Sequence, residues 1–409
     1  MAMADADFMH LALRLARHGY GATSPNPMVG AVLVKGGRII GRGWHRSAGL
    51  PHAEIEALGD AQKRGYSLRG ATLYVTLEPC CTHGRTPPCT ETIIAAGIKR
   101  VVVGAVDPNP KHAGNGFRIL RRAGIEVVNP GSAGVLPASS SVRSPATYRR
   151  DAGAPGKLAH ECARLNEAFN HWIVHHTPFV TVKAAMTLDG KIATASGESK
   201  WITGEKARAW GMKLRQGVDA VLVGINTILA DDPSLTVRSK QCIQHSQFNS
   251  QRPSLRRIVL DSMARTPLRA KVVSDGHASL TTIVVSQRAP KSRVAPLARR
   301  VNVVAAPPHI AHHASRINLN WLMHKLGAEN VTSLLVEGGG EVNASFLLGG
   351  FAQRVAFFYA PKILGGRDSR KAVAGDGVKQ LSEVIRLRDV EWRKLGPDLL
   401  MTARLESKL

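Results

Sequence analysis

The run His52-Ala53-Glu54, followed by Pro79-Cys80 and Pro88-Cys89, most constrains what this chain can fold into, because it asks three separated segments to meet at one metal ion. A catalytic zinc takes three protein ligands and keeps a fourth position for water. His52, Cys80 and Cys89 fill that requirement. Water on such a metal gives up its proton near neutral pH. Glu54, two residues from His52, is spare as a ligand and close enough to carry that proton to a leaving group, which is general acid/base work.

Histidine-x-glutamate with later proline-linked cysteines is the pattern of the nucleobase zinc deaminases, and this chain departs from it at one point. Eight residues, Cys81 to Pro88, separate Cys80 from Cys89, so a loop has to return the second sulfur to the metal. Cys81 competes as a ligand. Adjacent cysteines point in diverging directions, so Cys80 and Cys89, each behind a proline and ahead of an expected helix start, make the better pair. The bland alternatives are a zinc that only staples the fold, or thiols that bind nothing.

At 409 residues the chain exceeds what one hydrophobic core usually serves, and its 44% hydrophobic content suffices for two. Five cysteines, three of them at 80, 81 and 89, do not read as a disulfide framework and suit a reducing compartment; Cys162 and Cys242 look incidental. Asp5 and Asp7 stand where a signal peptide needs positive charge, and no apolar run approaches membrane-spanning length. The expectation is a cytoplasmic protein with no membrane partner.

The net charge of +25 invites a nucleic-acid reading. An acid-free stretch, Gly276 to Ala328, carries Arg288, Lys291, Arg293, Arg299, Arg300, Arg316 and Lys325. These are scattered, aromatics are only 5%, and no base-stacking motif is present, so the stretch reads as solvated faces and nucleic acid is not the expected partner. A nucleic-acid deaminase with a basic binding domain stands as the alternative. The same charge would steer phosphorylated substrates toward clefts.

Phe8, Leu11, Ala12, Leu15 and Ala16 recur at helical spacing and predict a first amphipathic helix ending near Gly19. Ser24-Pro25-Asn26-Pro27 is a loop by its prolines. Val29 to Val34 and the segment around Ile39 and Ile40 flank Lys35-Gly36-Gly37-Arg38, which reads as a hairpin turn. Glu54 to Arg64 predicts a helix, Ala71 to Leu77 a strand, Glu91 to Ala96 a helix and Val101 to Val106 a strand. From Asn129 to about Lys157 the chain is rich in Gly, Ala, Ser and Pro, with Arg143, Arg149 and Arg150, and reads as a linker. A short helix bearing Leu165, Asn166 and Phe169 follows, and a second domain starts near Pro178.

That domain alternates strands and helices: short apolar runs at Phe179, Ala220, Ile258, Thr282, Val301, Ser333, Val355 and Leu399, with helical patterns such as Glu205 to Arg215 between several. An α/β fold with a largely parallel sheet covered on both faces is expected. Its chemically suggestive element runs from Leu334 through Glu337-Gly338-Gly339-Gly340 to Asn343, a strand entering three glycines and then a helix. Such a turn exposes backbone N–H groups to an anion, or is simply a tight structural turn.

Pro25-Asn26-Pro27, Pro51-His52-Ala53-Glu54, Leu77-Glu78-Pro79-Cys80, Gly84 to Cys89 and Asp107-Pro108-Asn109-Pro110 resemble the deaminase half of the bifunctional riboflavin-biosynthesis deaminase/reductases. Lys183 through Leu188-Asp189-Gly190-Lys191, Gly197 to Thr203, Leu229 to Arg238 and Val336-Glu337-Gly338-Gly339 resemble the reductase half. The resemblance implies a cytidine-deaminase-like domain over 1–128, a linker with a basic insertion and short helix over 129–177, and a dihydrofolate-reductase-like domain over 178–409. It implies Zn2+ and NADPH as cofactors, a phosphorylated pyrimidine as substrate, and leaves room for a homo-oligomer. By its motifs Asn26 contacts the pyrimidine. Ala185, Trp201, Thr227, Asp231, Gly339 and Gly340 match positions that contact NADP, and Ser199, Arg215, Leu235, Arg238 and Glu337 match positions that contact substrate. Lys183, Asp189 and Glu337 are candidates by location for the proton donor in the reductase. Thr187 stands where serine is common in that family.

Overall fold

The computed structural model describes residues 4–83, 87–129, 154–237, 254–308 and 317–406. The chain divides into two compact units, Met1–His175 and His176–Leu409. In the first, the elements in order are α1 (Asp5–Ala16), β1 (Gly30–Lys35), β2 (Arg38–Trp44), α2 (Ala53–Lys63), β3 (Thr72–Val75), α3 (Cys89–Ala95), β4 (Arg100–Val103), α4 (Asn115–Arg122), β5 (Glu126–Val128), α5 (Ala154–Leu165) and α6 (Glu167–His175). The sheet runs β2-β1-β3-β4-β5, antiparallel around β1 and parallel from β3 to β5.

The expected hairpin forms because Lys35 pairs with Arg38 across Gly36 and Gly37, whose φ values of +56° and +74° a tight two-residue turn demands. Helix α1 buries Phe8, Met9, Ala12, Leu13 and Ala16, whereas Leu11 and Leu15 pack at the margin. The stripe is thus rotated from the predicted one toward Met9 and Leu13. Between α5 and α6 the chain breaks at Asn166, so the single short helix expected there is two. Helix α5 belongs to the first unit because Leu158 and Cys162 enter its core. Arg143, Arg149, Arg150, Cys242 and Arg316 lie outside the described residues.

Strand β2 and helix α2 approach so closely that side chains are excluded between them. A Cβ on Gly41 would stand 2.2 Å from the Ala57 carbonyl oxygen, and one on Gly43 would stand 2.3 Å from that of Ala53. Ala53, Ala57 and Ala61 complete the contact with fully buried methyl groups. Bare strand backbone against small helix residues fixes where the first turn of α2 sits.

The second unit contains β6 (Phe179–Thr187), β7 (Lys191–Ala193), α7 (Glu205–Gln216), β8 (Ala220–Gly224), α8 (Ile225–Asp231), β9 (Arg256–Leu260), α9 (Lys271–Ser274), β10 (Thr281–Ser286), α10 (Lys291–Ala298), β11 (Asn302–Ala306), α11 (Leu319–Ala328), β12 (Ser333–Val336), α12 (Gly340–Leu348), β13 (Arg354–Ala360), β14 (Arg370–Lys371), β15 (Leu387–Leu395) and β16 (Asp398–Leu405). Its nine-stranded sheet runs β11-β10-β9-β8-β12-β6-β13-β16-β15. The strands from β11 to β13 are parallel, and β16 and β15 close the sheet antiparallel. Strands β8, β10 and β12 are buried at every position, which is why their centres read as short apolar runs with no polar alternation. Strand β15 has no such signature. It is exposed along nearly its whole length, sets Val390 and Trp392 among charged residues, and pairs with β16.

Replacing Gly43 by valine would force α2 off the strand. Overpacking of this kind costs about 1–3 kcal/mol, and the first unit's melting temperature is expected to fall by on the order of 5 °C while the second unit's transition stays in place, as differential scanning calorimetry would show.

Candidate active site

His52 is the residue immediately before α2, and Cys89 is the first residue of α3, capped by Pro88. Cys80 lies in the loop after β3, so the helix start expected behind it is absent, while the one at Cys89 is present. The His52 Nδ1 atom stands 3.5 Å from Cys80 Sγ and 3.3 Å from Cys89 Sγ. The Cys89 backbone N–H also donates to Cys80 Sγ at 3.3 Å. The three ligand atoms fall within 4.8 Å of one another. Ordinary zinc–nitrogen and zinc–sulfur bonds in a tetrahedron put such atoms about 3.5 Å apart, so the residues fit a zinc ion. Cys81 turns away, its sulfur 3.4 Å from His112 Nδ1.

The donors are chemically prepared for a dication. Cys89 donates to Cys80, which with the neighbouring His52 lowers the Cys80 thiol against its own burial, while the same bond pushes the Cys89 thiol up. Two sulfurs this close share one proton, which a bound cation displaces. His52 is raised, chiefly by its hydrogen bond to Cys80. Glu54, 3% exposed in the first turn of α2, is pushed up to about 7 by burial and by the negative charge on Cys80.

A cavity of about 260 Å³ opens onto His52, Glu54 and Cys80. Asn26 enters it and its Nδ2 lies 3.2 Å from His45 Nε2. His45 is buried and its Nδ1 stands 3.1 Å from the Pro51 carbonyl, which can only accept. That bond fixes the tautomer: Nδ1 carries the proton and Nε2 accepts from the Asn26 amide. Burial lowers the His45 pKa and keeps the ring neutral.

Two supports of this cavity were given no role by sequence reasoning. Glu78, within the Leu77–Cys80 motif, is buried and accepts from the backbone N–H groups of Asp107, Gly114 and Gly116 at 3.2, 2.9 and 2.9 Å, tying the Asp107–Pro110 loop to the Cys80 loop. The other is α6, whose Phe169, Trp172 and Ile173 line the cavity. Their i, i+3, i+4 spacing was the available signal.

In the second unit the expected residues follow the carboxyl ends of β8, β12 and β6, three neighbouring central strands where ligands of open α/β sheets bind. Ala185 lies on β6, Thr227 and Asp231 on α8 directly after β8, Gly339 caps α12 and Gly340 is its first residue. Glu337 follows β12 and takes the Arg215 guanidinium in a fork, Nε to Oε1 at 2.8 Å and Nη2 to Oε2 at 2.9 Å. Lys183 Nζ stands 3.6 Å from the same carboxylate, and Arg215 Nη1 donates to the Thr236 carbonyl at 3.1 Å. Burial opposes ionisation of Glu337, but Lys183 and Arg215 overcome it and hold the carboxyl at about 2. Asp189 instead accepts from the backbone N–H groups of Leu364 and Gly365 at 3.0 and 2.7 Å.

Ser199 Oγ donates to Asp231 at 3.3 Å, joining a predicted substrate position to a predicted cofactor position. Trp201 is 67% exposed with the Arg208 guanidinium over its ring, apart from these pairs. Leu235 is 2% exposed at φ +51°, and its side chain packs into the core beside β8 and β9. The loop that carries it is pinned by Arg257, buried and unnoticed in the sequence, which donates to the Ser234 carbonyl at 2.9 Å and pairs with Asp275 at 2.7 and 2.8 Å. Arg238 lies outside the described residues.

Residues 3–105 match the cytidine and deoxycytidylate deaminase zinc-binding region, and residues 178–401 match the RibD C-terminal domain. Together with the His/Cys/Cys group and its buried glutamate, these define a zinc-dependent deaminase joined in one chain to an α/β reductase. Riboflavin biosynthesis protein RibD of Actinobacillus pleuropneumoniae is 41% identical over 401 residues, covering 98% of this chain and 95% of that protein. Acinetobacter baumannii RibD (form 1) superposes with a TM-score of 0.79 at 33% identity, covering 98% of this chain and 99% of that one. A Thermotoga maritima structure described as a diaminohydroxyphosphoribosylaminopyrimidine deaminase/5-amino-6-(5-phosphoribosylamino)uracil reductase gives 0.77 at 35% identity with the same coverage.

The chain belongs to the RibD family of bifunctional riboflavin-biosynthesis deaminase/reductases. Its fold is cytidine-deaminase-like followed by dihydrofolate-reductase-like, its cofactors are zinc and NADPH, and its substrate is a phosphorylated pyrimidine. Among the described residues no helix is long and apolar enough to cross a membrane.

The depressed pKa of Glu337 makes a pH prediction. A carboxyl held at about 2 when folded and near 4.5 when free adds stability above pH 4.5 that disappears as pH falls toward 2. Urea titrations across that window should show a steeper acid loss for the second unit of the native chain than for Glu337→Gln; equal slopes would mean that the pair does not hold the charge.

Proposed function

We propose that the first unit hydrolyses one amino group of 2,5-diamino-6-(5-phosphoribosylamino)pyrimidin-4-one, releasing ammonia, and that the second reduces the ribosyl group of the product, giving 5-amino-6-(5-phosphoribitylamino)uracil. The observation that carries this reading is the buried Glu54 in the turn that begins at His52, beside two sulfurs within reach of the same ion. His52, Cys80 and Cys89 would hold the zinc, which would supply Lewis acidity there. Glu54 carries a proton from the attacking water to the departing amine; a carboxyl near 7 suits both directions. With the Asn26 amide nitrogen committed to His45, its oxygen is left to accept from an N–H of the pyrimidine.

In the second unit NADPH supplies the hydride. Ala185, Trp201, Thr227, Asp231, Gly339 and Gly340 contact the dinucleotide, and the amino end of α12 favours its phosphate. Ser199, Arg215, Leu235, Arg238 and Glu337 contact the sugar phosphate substrate. Glu337 and Arg215 act as one preformed pair, leaving Arg215 with N–H groups beyond the fork for an anion. The catalytic groups of the deaminase fall within 1–128 and those of the reductase within 178–409; of the segment 129–177 between them, α5 and α6 belong to the first unit.

The enzyme acts in the cytoplasm and as a homo-oligomer. Supporting assembly, β15 ends the large sheet and exposes Leu387, Val390 and Trp392 at 37, 47 and 59%, an apolar edge of the kind that pairs with another copy.

Glu54→Gln should reduce ammonia release by a factor on the order of 10² or more, as loss of a general acid/base does, with zinc retained by elemental analysis and NADPH oxidation on the pre-deaminated compound unchanged. Full deamination by that variant removes Glu54 from the mechanism. Light scattering should report a mass above one chain that Trp392→Glu lowers; a monomeric native protein would dispose of the assembly claim.

A further inference from the structure

We infer that α6 is the outer wall of the deaminase cavity and that Asn166, at the break just before it, is a positioning residue that holds the Asn26 loop in place. This deepens the reading above and rests on it.

Asn166 is 3% exposed and uses both ends of its amide on one distant residue. The Met28 N–H donates to its Oδ1 at 2.8 Å, and its Nδ2 donates to the Met28 carbonyl at 2.9 Å. A side chain thereby pairs with main chain as a neighbouring strand would. A capping asparagine needs only an acceptor. Here the donor is used as well, so helix capping does not account for the residue type. Among side chains of this length only asparagine offers a donor and an acceptor together; aspartate keeps the acceptor and leucine keeps neither.

Met28 is separated from Asn26 by Pro27 alone, whose ring fixes φ and leaves no backbone donor to hold the segment. The Asn26 N–H bonds to the Thr23 carbonyl at 2.8 Å and its side chain meets His45. On its carboxyl side, the loop is tied down by Asn166. Release of Met28 would free the backbone that aims the Asn26 amide.

The helix that follows contributes directly. Phe169, Trp172 and Ile173 line the same cavity as Asn26, His45 and Glu54, yet no residue of α6 is fully buried. Two aromatic rings and a branched aliphatic group offer a flat pyrimidine a face to lie against, while Asn26 and Glu54 address its edge. The deaminase zinc-binding region ends its match at residue 105, so this wall comes from outside the segment that carries the shared chemistry. The zinc group supplies the reaction and α6 shapes the room for a nucleotide-sized substrate.

The test uses the full chain with the diamino-pyrimidinone nucleotide for deamination and the pre-deaminated compound for reduction. For Asn166→Leu we expect the deamination KM to rise about tenfold or more with a smaller change in kcat, zinc content unchanged, and reduction within twofold of the native chain. Asn166→Asp should fall between, and Trp172→Ala should raise KM in the same sense. A purely structural role would lower kcat with the folded fraction, leave KM alone and lose zinc in parallel; that pattern overturns the inference, as does unaltered KM in both Asn166→Leu and Trp172→Ala. If the native chain itself releases no ammonia, the functional reading has failed, and this inference falls with it for a different reason.

Discussion

The first unit is organised around the seating of α2 on the bare backbone of β2. Helix and strand can touch this closely only where Gly41 and Gly43 meet Ala53, Ala57 and Ala61. That contact brings the start of α2, with His52 and Glu54, to the place where α3 starts with Cys89. Helix starts carry partial positive charge, which favours sulfur as thiolate and a carboxylate in the first turn. A metal site is assembled because two helix beginnings and one loop converge, and each is held by contacts made elsewhere.

Glu54 and Glu337 show one side chain put to two uses by its surroundings. Both are withdrawn from water. Glu54 sits beside a negative sulfur and rises to about 7, where it can give and take a proton. Glu337 is gripped by Lys183 and Arg215 and stays ionised down to about 2, where it can only accept hydrogen bonds and hold cations in place. These surroundings support the proposed roles, proton transfer for the first and positioning for the second.

Much of this was legible in the sequence. The Lys35–Arg38 turn, the apolar runs of the central strands and the strand–glycine–helix passage at Ser333–Leu348 are local patterns, and local patterns survive into the fold. What went unread lacks one. Strand β15 mixes charged and apolar residues without a period and is a strand only by pairing; the helix around Phe169 was expected, but its place on the cavity was not, because it has no deep core face; Arg257 looks like any surface arginine until the Ser234 carbonyl and Asp275 surround it.

The sequence by itself determined the chemistry: which side chains can hold zinc, which carboxyl stands two residues from a ligand, and that two cores follow one another along the chain. Ligand type and short spacing are properties of a few adjacent residues, so they can be read without a fold. Only the tertiary structure decided that Cys81 faces His112 and not the metal, that His45 orients Asn26, and that Asn166 reaches back to Met28. Those are contacts between residues far apart in the chain, and their partners are chosen by packing, which no run of neighbouring letters encodes.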